Sequence, residues 1–456
     1  MIWLLLACTH SGDGVDSVGT EETAADTEET AVDTAPPGRP AFANPALAED
    51  QNPEPGVFEL TLSAAPQDFV VAGQQVSGYA YNGQNPGPLI QVEAGDTLTA
   101  TLENGLDNGS TIHWHGASVP WEMDGVPWLI DPVQAGESKN YTFELSEPIT
   151  GWYHPHFDTE RQVDLGLYGV LLVKDPAWPV ADHELVLVAD TWGEAPEEGH
   201  HSGFVFQENT WTVNGLESPV LMVEAGQSVV AHVLNVSNMG YLSLSAEGMR
   251  VVGGEQGLLP APTSPERLIL GPGDRAMVEF SPGTEEIELL THPYSVAGAS
   301  ELGDPVSILG IHPSTSGAAN AGLDWPFESA APTPDPGKTA VRYVFQGDEQ
   351  TGQWRINGEA FPDVTIETLP EGVPAVIEVR NLSATEHPFH LHGMSFEVLS
   401  VDGVPPDQRT IQDTVNIGIR QTLRILVPAD NVGDWMAHCH ILPHAEGGMM
   451  TVLRVE

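Results

Sequence analysis

Trp211-Thr212-Val213-Asn214-Gly215 is the middle copy of a phrase that occurs three times in this chain of 456 residues. The first copy is Tyr81-Asn82-Gly83 and the third is Trp354-Arg355-Ile356-Asn357-Gly358. After each Asn-Gly pair, at a distance of 22, 21 or 24 residues, a strand-like segment ends in another Asn: Asn104, Asn235 and Asn381. Near-constant spacing within copies that lie far apart predicts one β-domain present three times.

The segments between the turns are short. With 47 Gly and 38 Pro, the chain is broken into runs in which apolar residues alternate with polar ones, such as Leu98–Leu102 and Val376–Val379. This alternation is typical of strands with one buried face. Long amphipathic helical stretches are not evident. The predicted fold class is therefore all-β, with many short strands in sandwiches.

Ten of the 17 His are His444 and the nine His of four short motifs. His113-Trp114-His115 and His154-Pro155-His156 belong to the first copy, whereas His387–His392 and His438-Cys439-His440 belong to the third. Residues i and i+2 of a strand point to the same face, so each H-x-H pair aims two imidazoles at one place. The eight imidazoles of four such pairs could hold three metal ions.

The motifs occupy equivalent places in the repeats. His113 follows Asn104 by nine residues, and His390 follows Asn381 by nine. The second copy has Tyr241–Ser245 at this place, without His. The three-metal site is therefore predicted between domains one and three, and domain two is predicted to act as a spacer.

Cys439 lies on the opposite face of its strand from its two His neighbours. With His387, His444 and Met449 it forms the ligand set of a blue-copper site, which has two His, a Cys and a weak axial Met. Met450 is the alternative axial ligand, although the spacing from Cys439 favours Met449. Pro155 takes the place of the Cys in domain one, so only domain three can form this site.

These motifs resemble those of the multicopper oxidases, the family of laccases and ascorbate oxidase, from about residue 57 to the C-terminus. The resemblance implies three consecutive cupredoxin-like Greek-key β-sandwich domains. It also implies four copper ions, namely one type 1, one type 2 and two type 3. The implied type 1 ligands are His387, Cys439, His444 and Met449. The implied type 2 ligands are His113 and His390, and the implied type 3 ligands are His115, His154, His156, His392, His438 and His440.

Two acids are candidates for proton delivery. Asp124, eleven residues after His113, matches the acid that the family places beside the cluster. Its alternative role is that of a turn residue before Gly125. A second family acid directly follows the type 1 His, but Ala445 stands there, and Glu446 is the candidate substitute.

The implied activity is one-electron oxidation of a small reducing substrate (a phenol, an aromatic amine or a metal ion) coupled to reduction of O₂ to water. One alternative is a copper-dependent nitrite reductase, but that family needs only one imidazole beside the Cys and has two domains in a typical chain. The other is a non-enzymatic copper-binding envelope protein, which the complete ligand set disfavours.

The net charge is −50, from 15 basic and 65 acidic residues. Such a field repels phosphate and excludes nucleic acid as a partner. It predicts a preference for neutral or cationic reductants, weaker at high salt. Adaptation to a saline habitat and acid-biased solubility both explain the acidity.

The chain divides into six segments. Residues 1–8 end in Leu5-Leu6-Ala7-Cys8 and resemble a bacterial lipoprotein signal, although a basic n-region is lacking. An accidental apolar N-terminus and a true start further upstream are the alternatives. Residues 9–56 are predicted to be an acidic disordered tether. The domains are predicted at 57–178, 179–313 and 339–456, with a linker at 314–338. We therefore expect an exported monomer, periplasmic or on the cell surface, anchored through lipidated Cys8.

Overall fold

The computed structural model describes residues 38–192, 210–298, 303–348 and 351–456. In these ranges the chain is almost entirely β, and its strands form three pairs of sheets in sequence order. The prediction of three consecutive β-sandwiches is confirmed.

The first sandwich packs a sheet of order β2-β1-β4-β6 against one of order β3-β8-β7-β5. A 3₁₀ helix at Trp121–Met123 and helix α1 at Thr159–Asp164 lie in its loops. Its strands are β1 Val57–Val71, β2 Gln74–Tyr81, β3 Ile90–Glu93, β4 Asp96–Asn104, β5 His113–His115, β6 Ser138–Leu145, β7 Ile149–His154 and β8 Gly169–Lys174.

The second sandwich has sheets of order β10-β9-β12-β17-β14-β15 and β11-β19-β18-β13-β16. Its strands are β9 His183–Trp192, β10 Thr210–Val213, β11 Val220–Val223, β12 Val229–Asn235, β13 Leu242–Ser245, β14 Arg250–Gly254, β15 Gly257–Thr263, β16 Leu268–Leu270, β17 Arg275–Phe280, β18 Ile287–Thr291 and β19 Val306–Pro313.

The third sandwich has sheets of order β21-β20-β23-β28-β25-β26 and β22-β30-β29-β24-β27. Helix α2, Leu442–Glu446, joins β29 to β30. The strands are β20 Val341–Asp348, β21 Gln353–Ile356, β22 Glu367–Leu369, β23 Ala375–Asn381, β24 His387–Leu391, β25 Phe396–Val401, β26 Ile411–Gln412, β27 Thr414–Ile417, β28 Thr422–Val427, β29 Gly433–Cys439 and β30 Met450–Val455.

The repeated Asn-Gly pairs make the same turn in each sandwich. Asn82, Asn214 and Asn357 have φ of 53°, 54° and 56°, and the Gly after each also has positive φ. Asn and Gly are the residues that tolerate this left-handed backbone. Each of these Asn side chains also bonds a neighbouring strand at two points, as when Asn214 accepts from Val188 N and donates to Val186 O. The repeat is therefore a structural element of the fold.

The Asn that ends each repeat has an equally constant role. The Asn104 amide donates to the carbonyls of Asn108 and Val133, and the amides of Asn235 and Asn381 donate to two or more loop carbonyls in the same way. All three side chains are almost fully buried. Each holds the loop between two strands, and in domains one and three that loop leads to a His motif.

The sequence predicted that residues 38–56 belong to a disordered tether. This part of the prediction is wrong, because the segment pairs with two of the sandwiches. Ala41 pairs with Val220 of the second sandwich, and Leu47 pairs with Leu89 of the first. The Arg39 guanidinium also lies 2.7 Å from the Glu288 carboxylate. Acidic composition predicted disorder, but two strand edges with unpaired backbone groups hold this segment. The predicted tether of 9–37 and Cys8 lie outside the described residues.

The predicted linker at 314–338 contains no strand. It lies against the second sandwich, where Trp325 is buried and its indole N–H donates to Glu279 over 3.1 Å. Within the described ranges, the helices are all too short or too polar to cross a lipid bilayer.

Candidate metal centre

Two pairs of neighbouring strands carry the His motifs. In domain one, β5 pairs with β7 so that His113 lies opposite His154. In domain three, β24 pairs with β29 so that His390 lies opposite His438. Each pair of strands therefore brings two H-x-H motifs side by side on one sheet face, as the alternation of strand side chains requires.

The two faces meet. The imidazole of His113 stacks on that of His392 with ring centroids 3.8 Å apart, and His115 stacks on His390 at the same separation. The His440 ring centroid is 5.0 Å from that of His115. All eight imidazoles predicted to converge are buried in one place, 9% exposed or less.

The imidazoles fall into groups of three whose nitrogens lie within 4.8 Å of one another. One group is His115, His154 and His440; another is His156, His392 and His438. His113 and His390 remain, and they also lie within this distance of His115. Every group combines residues of domains one and three.

Several imidazole nitrogens in this cluster have no hydrogen-bond partner, although they are fully buried. They include Nε2 of His113, His154, His156 and His390 and Nδ1 of His115. A buried polar atom without a partner costs about 1–3 kcal/mol. In addition, His392 Nε2 lies 3.1 Å from His438 Nε2, although each ring already uses its Nδ1 in another hydrogen bond. A bound metal ion would accept the lone pairs of these nitrogens and would separate the two Nε2 atoms that face each other. These residues therefore fit a metal cluster.

Burial also keeps these imidazoles neutral. It lowers the pKa of His154, His156 and His440 well below the ordinary value of 6.5, and the neighbouring imidazoles lower it further. The pKa of His438 falls to about 3 for the same reasons. A neutral imidazole has the lone pair that a metal ion needs.

Carboxylates and carbonyls fix the orientation of the rings. Asp124, which is 1% exposed, accepts from His113 Nδ1 over 3.1 Å and from His392 Nδ1 over 2.8 Å. His154 Nδ1 lies 3.0 Å from the Pro155 carbonyl. These contacts leave Nε2 directed at the cluster, which is how the second shell of a metal site sets the tautomer of its ligands.

The opposite face of β29 carries a second group. Cys439 Sγ lies 3.4 Å from His387 Nδ1 and 3.7 Å from His444 Nδ1, and the two nitrogens are 3.2 Å apart. All three side chains are 2% exposed or less. One sulfur and two imidazole nitrogens at such mutual distances form a trigonal donor set of the kind that binds copper.

Met449 lies in the same hydrophobic core as Cys439 and is fully buried. Met450 packs instead against a separate cluster that contains Met436 and Val452. The indole of Trp354 stacks on the His444 ring at 3.7 Å and covers it.

Sequence reasoning missed an acid on the side of the cluster opposite Asp124. Asp413 accepts from His115 Nε2 over 3.0 Å and from Arg275 over 2.6 Å. Burial alone would raise its pKa, but the Arg275 charge and hydrogen bonds from Arg275, His115 and His390 hold the pKa well below its usual range. Arg275 belongs to domain two, which is therefore more than the predicted spacer.

Glu446 does not join the cluster. Its side chain is exposed, and Oε1 accepts from the backbone N–H of Thr159 at the start of α1. The sequence places Glu446 two residues after His444, but the turn of α2 directs it to the protein surface.

A small pocket lies beside the cluster, and its lining includes His113, His390, His392 and Asp413. An adjoining pocket shares Gly116, Ala117 and Ser118 with it and adds Glu144, Glu147 and Gln256.

Comparison with known proteins agrees with this geometry. Family models described as multicopper oxidase match residues 64–177 and 333–456. Multicopper oxidase mco of Staphylococcus epidermidis is 28% identical over 92% of this chain and 93% of its own. A multicopper oxidase structure from Campylobacter jejuni, described as a metallo-oxidase, superimposes with a TM-score of 0.80 at 26% identity over 92% of this chain and 96% of its own.

A multicopper oxidase structure from Pseudomonas thermotolerans is 30% identical, covers 88% of this chain and 99% of its own, and has a TM-score of 0.74. Laccase-4 of Trametes villosa is 26% identical over 87% of this chain and 89% of its own. With both matching domains, the paired His motifs and the copper-type donor set in place, the chain belongs to the multicopper oxidase family of copper-dependent, oxygen-dependent oxidoreductases.

Proposed function

We propose that this chain oxidises a reducing substrate one electron at a time at a type 1 copper and reduces O₂ to water at a three-copper cluster. The observation that carries the proposal is the end of strand β29, where Cys439 belongs to one donor set and its chain neighbours, His438 and His440, belong to the other. When bound, copper supplies the one-electron redox chemistry that the side chains lack.

The donor groups support a division of four copper ions. His387, Cys439, His444 and Met449 would hold the type 1 ion. His113 and His390 would hold the type 2 ion. The two type 3 ions would be held by two groups of three imidazoles, namely His115, His154 and His440, and His156, His392 and His438.

The polypeptide provides the route between the two sites. His438 and His440 are the chain neighbours of Cys439, so the path between the two donor sets is only a few covalent bonds long. His438 Nδ1 also lies 2.9 Å from the carbonyl of Cys439, which adds a hydrogen bond in parallel.

Of the two acids expected to deliver protons, Asp124 keeps that proposed role. Its two carboxylate oxygens each contact one proposed ligand imidazole, that of His113 from domain one and that of His392 from domain three. Glu446 is exposed and bound to Thr159 N, so we assign it no part in the reaction.

The reductant is proposed to be a neutral or cationic phenol, aromatic amine or metal ion. The support is the net charge of −50, which attracts cations and repels anions. A screen of O₂ uptake with cationic, neutral and anionic reductants at several salt concentrations tests this. Rates with cationic reductants should fall as salt rises, and those with anionic reductants should increase.

The decisive experiment on the function is metal analysis combined with O₂ uptake. The purified, copper-loaded protein should hold about four copper ions and show the blue absorption of a Cys-ligated copper. A protein that holds a single copper, or that consumes no O₂ with any reductant, would contradict the proposal.

We further propose that the chain is an exported monomer, tethered through a lipid on Cys8. The support is the apolar run that ends at Cys8. Labelling cells with a radioactive fatty acid should mark the wild type and not Cys8→Ala, and failure to label the wild type would reject the tether. Light scattering of the soluble part would test the monomer.

A further inference from the structure

Arg275 stands out among the residues behind the cluster. It is 2% exposed, yet it carries a charge and belongs to domain two, whose described residues contribute no His to the cluster. Its guanidinium donates two parallel hydrogen bonds to the Asp413 carboxylate, from Nη1 to Oδ1 over 2.8 Å and from Nη2 to Oδ2 over 2.6 Å. Two parallel bonds of this kind fix the plane of the carboxylate.

The Asp413 carboxylate in turn contacts two imidazoles of the cluster. Its Oδ1 lies 3.0 Å from His115 Nε2 and 3.3 Å from His390 Nδ1, and its backbone carbonyl lies 2.9 Å from His390 Nδ1. His115 and His390 stack on each other. One carboxylate therefore holds two imidazoles that come from different domains.

The consequence for His115 is specific. His113, His154 and His390 bond through Nδ1 and leave Nε2 without a partner, but His115 bonds through Nε2 and leaves Nδ1 without one. The Asp413 carboxylate, helped by the Thr414 hydroxyl at 3.1 Å, determines this reversal.

Arg275 is in turn held by all three domains. Its Nε donates to the Thr150 carbonyl of domain one over 2.7 Å. Glu255 of domain two lies 3.2 Å from Arg275 and accepts from the backbone N–H groups of Asp413 and Thr414. The nearby Gly273 lies against the His440 ring, since a Cβ there would be 2.8 Å from it.

Stability alone does not account for such a group. A buried ion pair is often no better than an apolar pair of similar volume, because both ions lose their hydration. Placing a guanidinium behind a site that binds cations adds repulsion, which Asp413 between them offsets. The arrangement therefore indicates a role in the site itself.

We propose that Arg275 is a positioning residue through which domain two sets the ring orientation of His115 and His390, and with it the geometry of the oxygen-reducing cluster. This inference rests on the proposed function, because it takes both His as copper ligands. It assigns to domain two a direct part in the cluster.

The test compares Arg275→Met, Arg275→Lys and Asp413→Asn with the wild type, all loaded with copper. The matched control is Arg250→Met, which removes another Arg–Glu contact of domain two, that with Glu279. Copper content, the electron paramagnetic resonance signal of the type 2 copper and the blue absorption are measured for each. The blue absorption serves as an internal reference, because Cys439 belongs to the donor set with His387 and His444, on the opposite face of β29 from His438.

In Arg275→Met and Asp413→Asn we expect the type 2 signal to change its hyperfine splitting and copper affinity at the cluster to fall about 10- to 100-fold. The blue absorption should persist. The type 2 signal of Arg275→Lys should lie between those of Arg275→Met and the wild type. Lys keeps the positive charge but cannot form two parallel hydrogen bonds with the Asp413 carboxylate. Arg250→Met should match the wild type. The double variant Arg275→Met/Asp413→Asn should be no worse than the poorer single variant, since both act through one contact.

Wild-type resonance and copper content in Arg275→Met at full loading, with only a lower melting temperature, would overturn the inference. If Arg275→Met does not fold, Arg275→Lys and Asp413→Asn decide: altered type 2 signals support the inference and unaltered signals reject it. A wild-type protein without any type 2 signal would instead reject the proposed function.

Discussion

The imidazoles of His115 and His390 stack with ring centroids 3.8 Å apart and planes 10° from parallel. One comes from β5 of the first sandwich and the other from β24 of the third. The cluster therefore exists only when the two ends of the folded chain are in contact. Copper that binds there links domains one and three, so its removal should loosen their contact as well as end the reaction.

Cys439→Ser should abolish the blue absorption and the turnover of reductant. A serine hydroxyl keeps its proton at neutral pH and is a poor copper ligand, so the group with His387 and His444 loses its thiolate. The eight imidazoles of the cluster are not changed, and their copper should remain. Absorption spectra and metal analysis of the purified variant measure both effects. Sustained O₂ uptake with a reductant would contradict the assignment of the electron entry site.

His390→Ala should remove about one copper ion and stop O₂ reduction, because the proposed type 2 site would keep a single imidazole, that of His113. The donor set at Cys439 is unaffected, so a reductant should still bleach the blue absorption. Stopped-flow spectra without O₂ test this. His292→Ala is the control, since His292 is bonded to Ser245 in domain two, outside the cluster. A His390→Ala protein with full type 2 signal would show that the assignment is wrong.

Asp124→Ala should slow O₂ reduction about 10- to 100-fold, the usual effect of losing a residue that orients metal ligands. Reduction of the proposed type 1 copper should keep its rate, because the proposed ligands that Asp124 contacts, His113 and His392, both belong to the other site. Glu446→Gln should retain nearly full turnover. Steady-state O₂ uptake and anaerobic bleaching separate the two steps. Equal losses in both variants would restore Glu446 as a participant.

Asp190 should make the protein less stable as pH rises. Burial is the main reason that the pKa of Asp190 is raised to about 8. The hydrogen bond from Tyr168 lowers this pKa, and the negative charge of Asp164 raises it. The folded state then binds this proton more tightly than the unfolded state, whose pKa is 3.8. The unfavourable contribution of the Asp190 charge is absent below pH 4, grows between pH 4 and pH 8 and is complete above pH 8, where it reaches on the order of 6 kcal/mol at most.

Asp190→Asn removes this titration, so it should be more stable than the wild type at pH 8 and gain little at pH 4. Urea unfolding of the copper-free proteins measures the difference without the pH dependence of metal binding. Asp407→Asn, at an exposed position, is the control. A constant difference between Asp190→Asn and the wild type across pH would exclude the titration of this carboxyl.

The repeats and the ligand motifs were predictable because each depends on local geometry. Asn214-Gly215 makes its turn from its own φ angles, and His438 and His440 share a face because strand side chains alternate. The equal spacing from Asn104 and Asn381 located both His faces. Composition was less informative: the segment 9–56 as a whole is acidic and lacks a core pattern, but within it Ala41 pairs with Val220 and Leu47 pairs with Leu89.

Arg275, Glu255 and Asp413 could not be found in this way, because they meet only where three domains touch. None of them lies in a repeated motif. One signal was available. Arg275 begins the short strand Arg275–Phe280, whose other charged residue is Glu279, in a chain with only 15 basic residues. A cation at the start of a buried strand requires an anion nearby, but the sequence does not say which one.

Strand β29 places sulfur on one side and two imidazoles on the other only because its residues alternate in direction. Inserting or deleting one residue before Trp435 would leave this motif intact in sequence and exchange its two faces, unless the strand bulged to absorb the change. Cys439 would then face the oxygen-reducing cluster, and its neighbours would face the hydrophobic core. Variation in the length of this strand should therefore be far less tolerated than substitution along it.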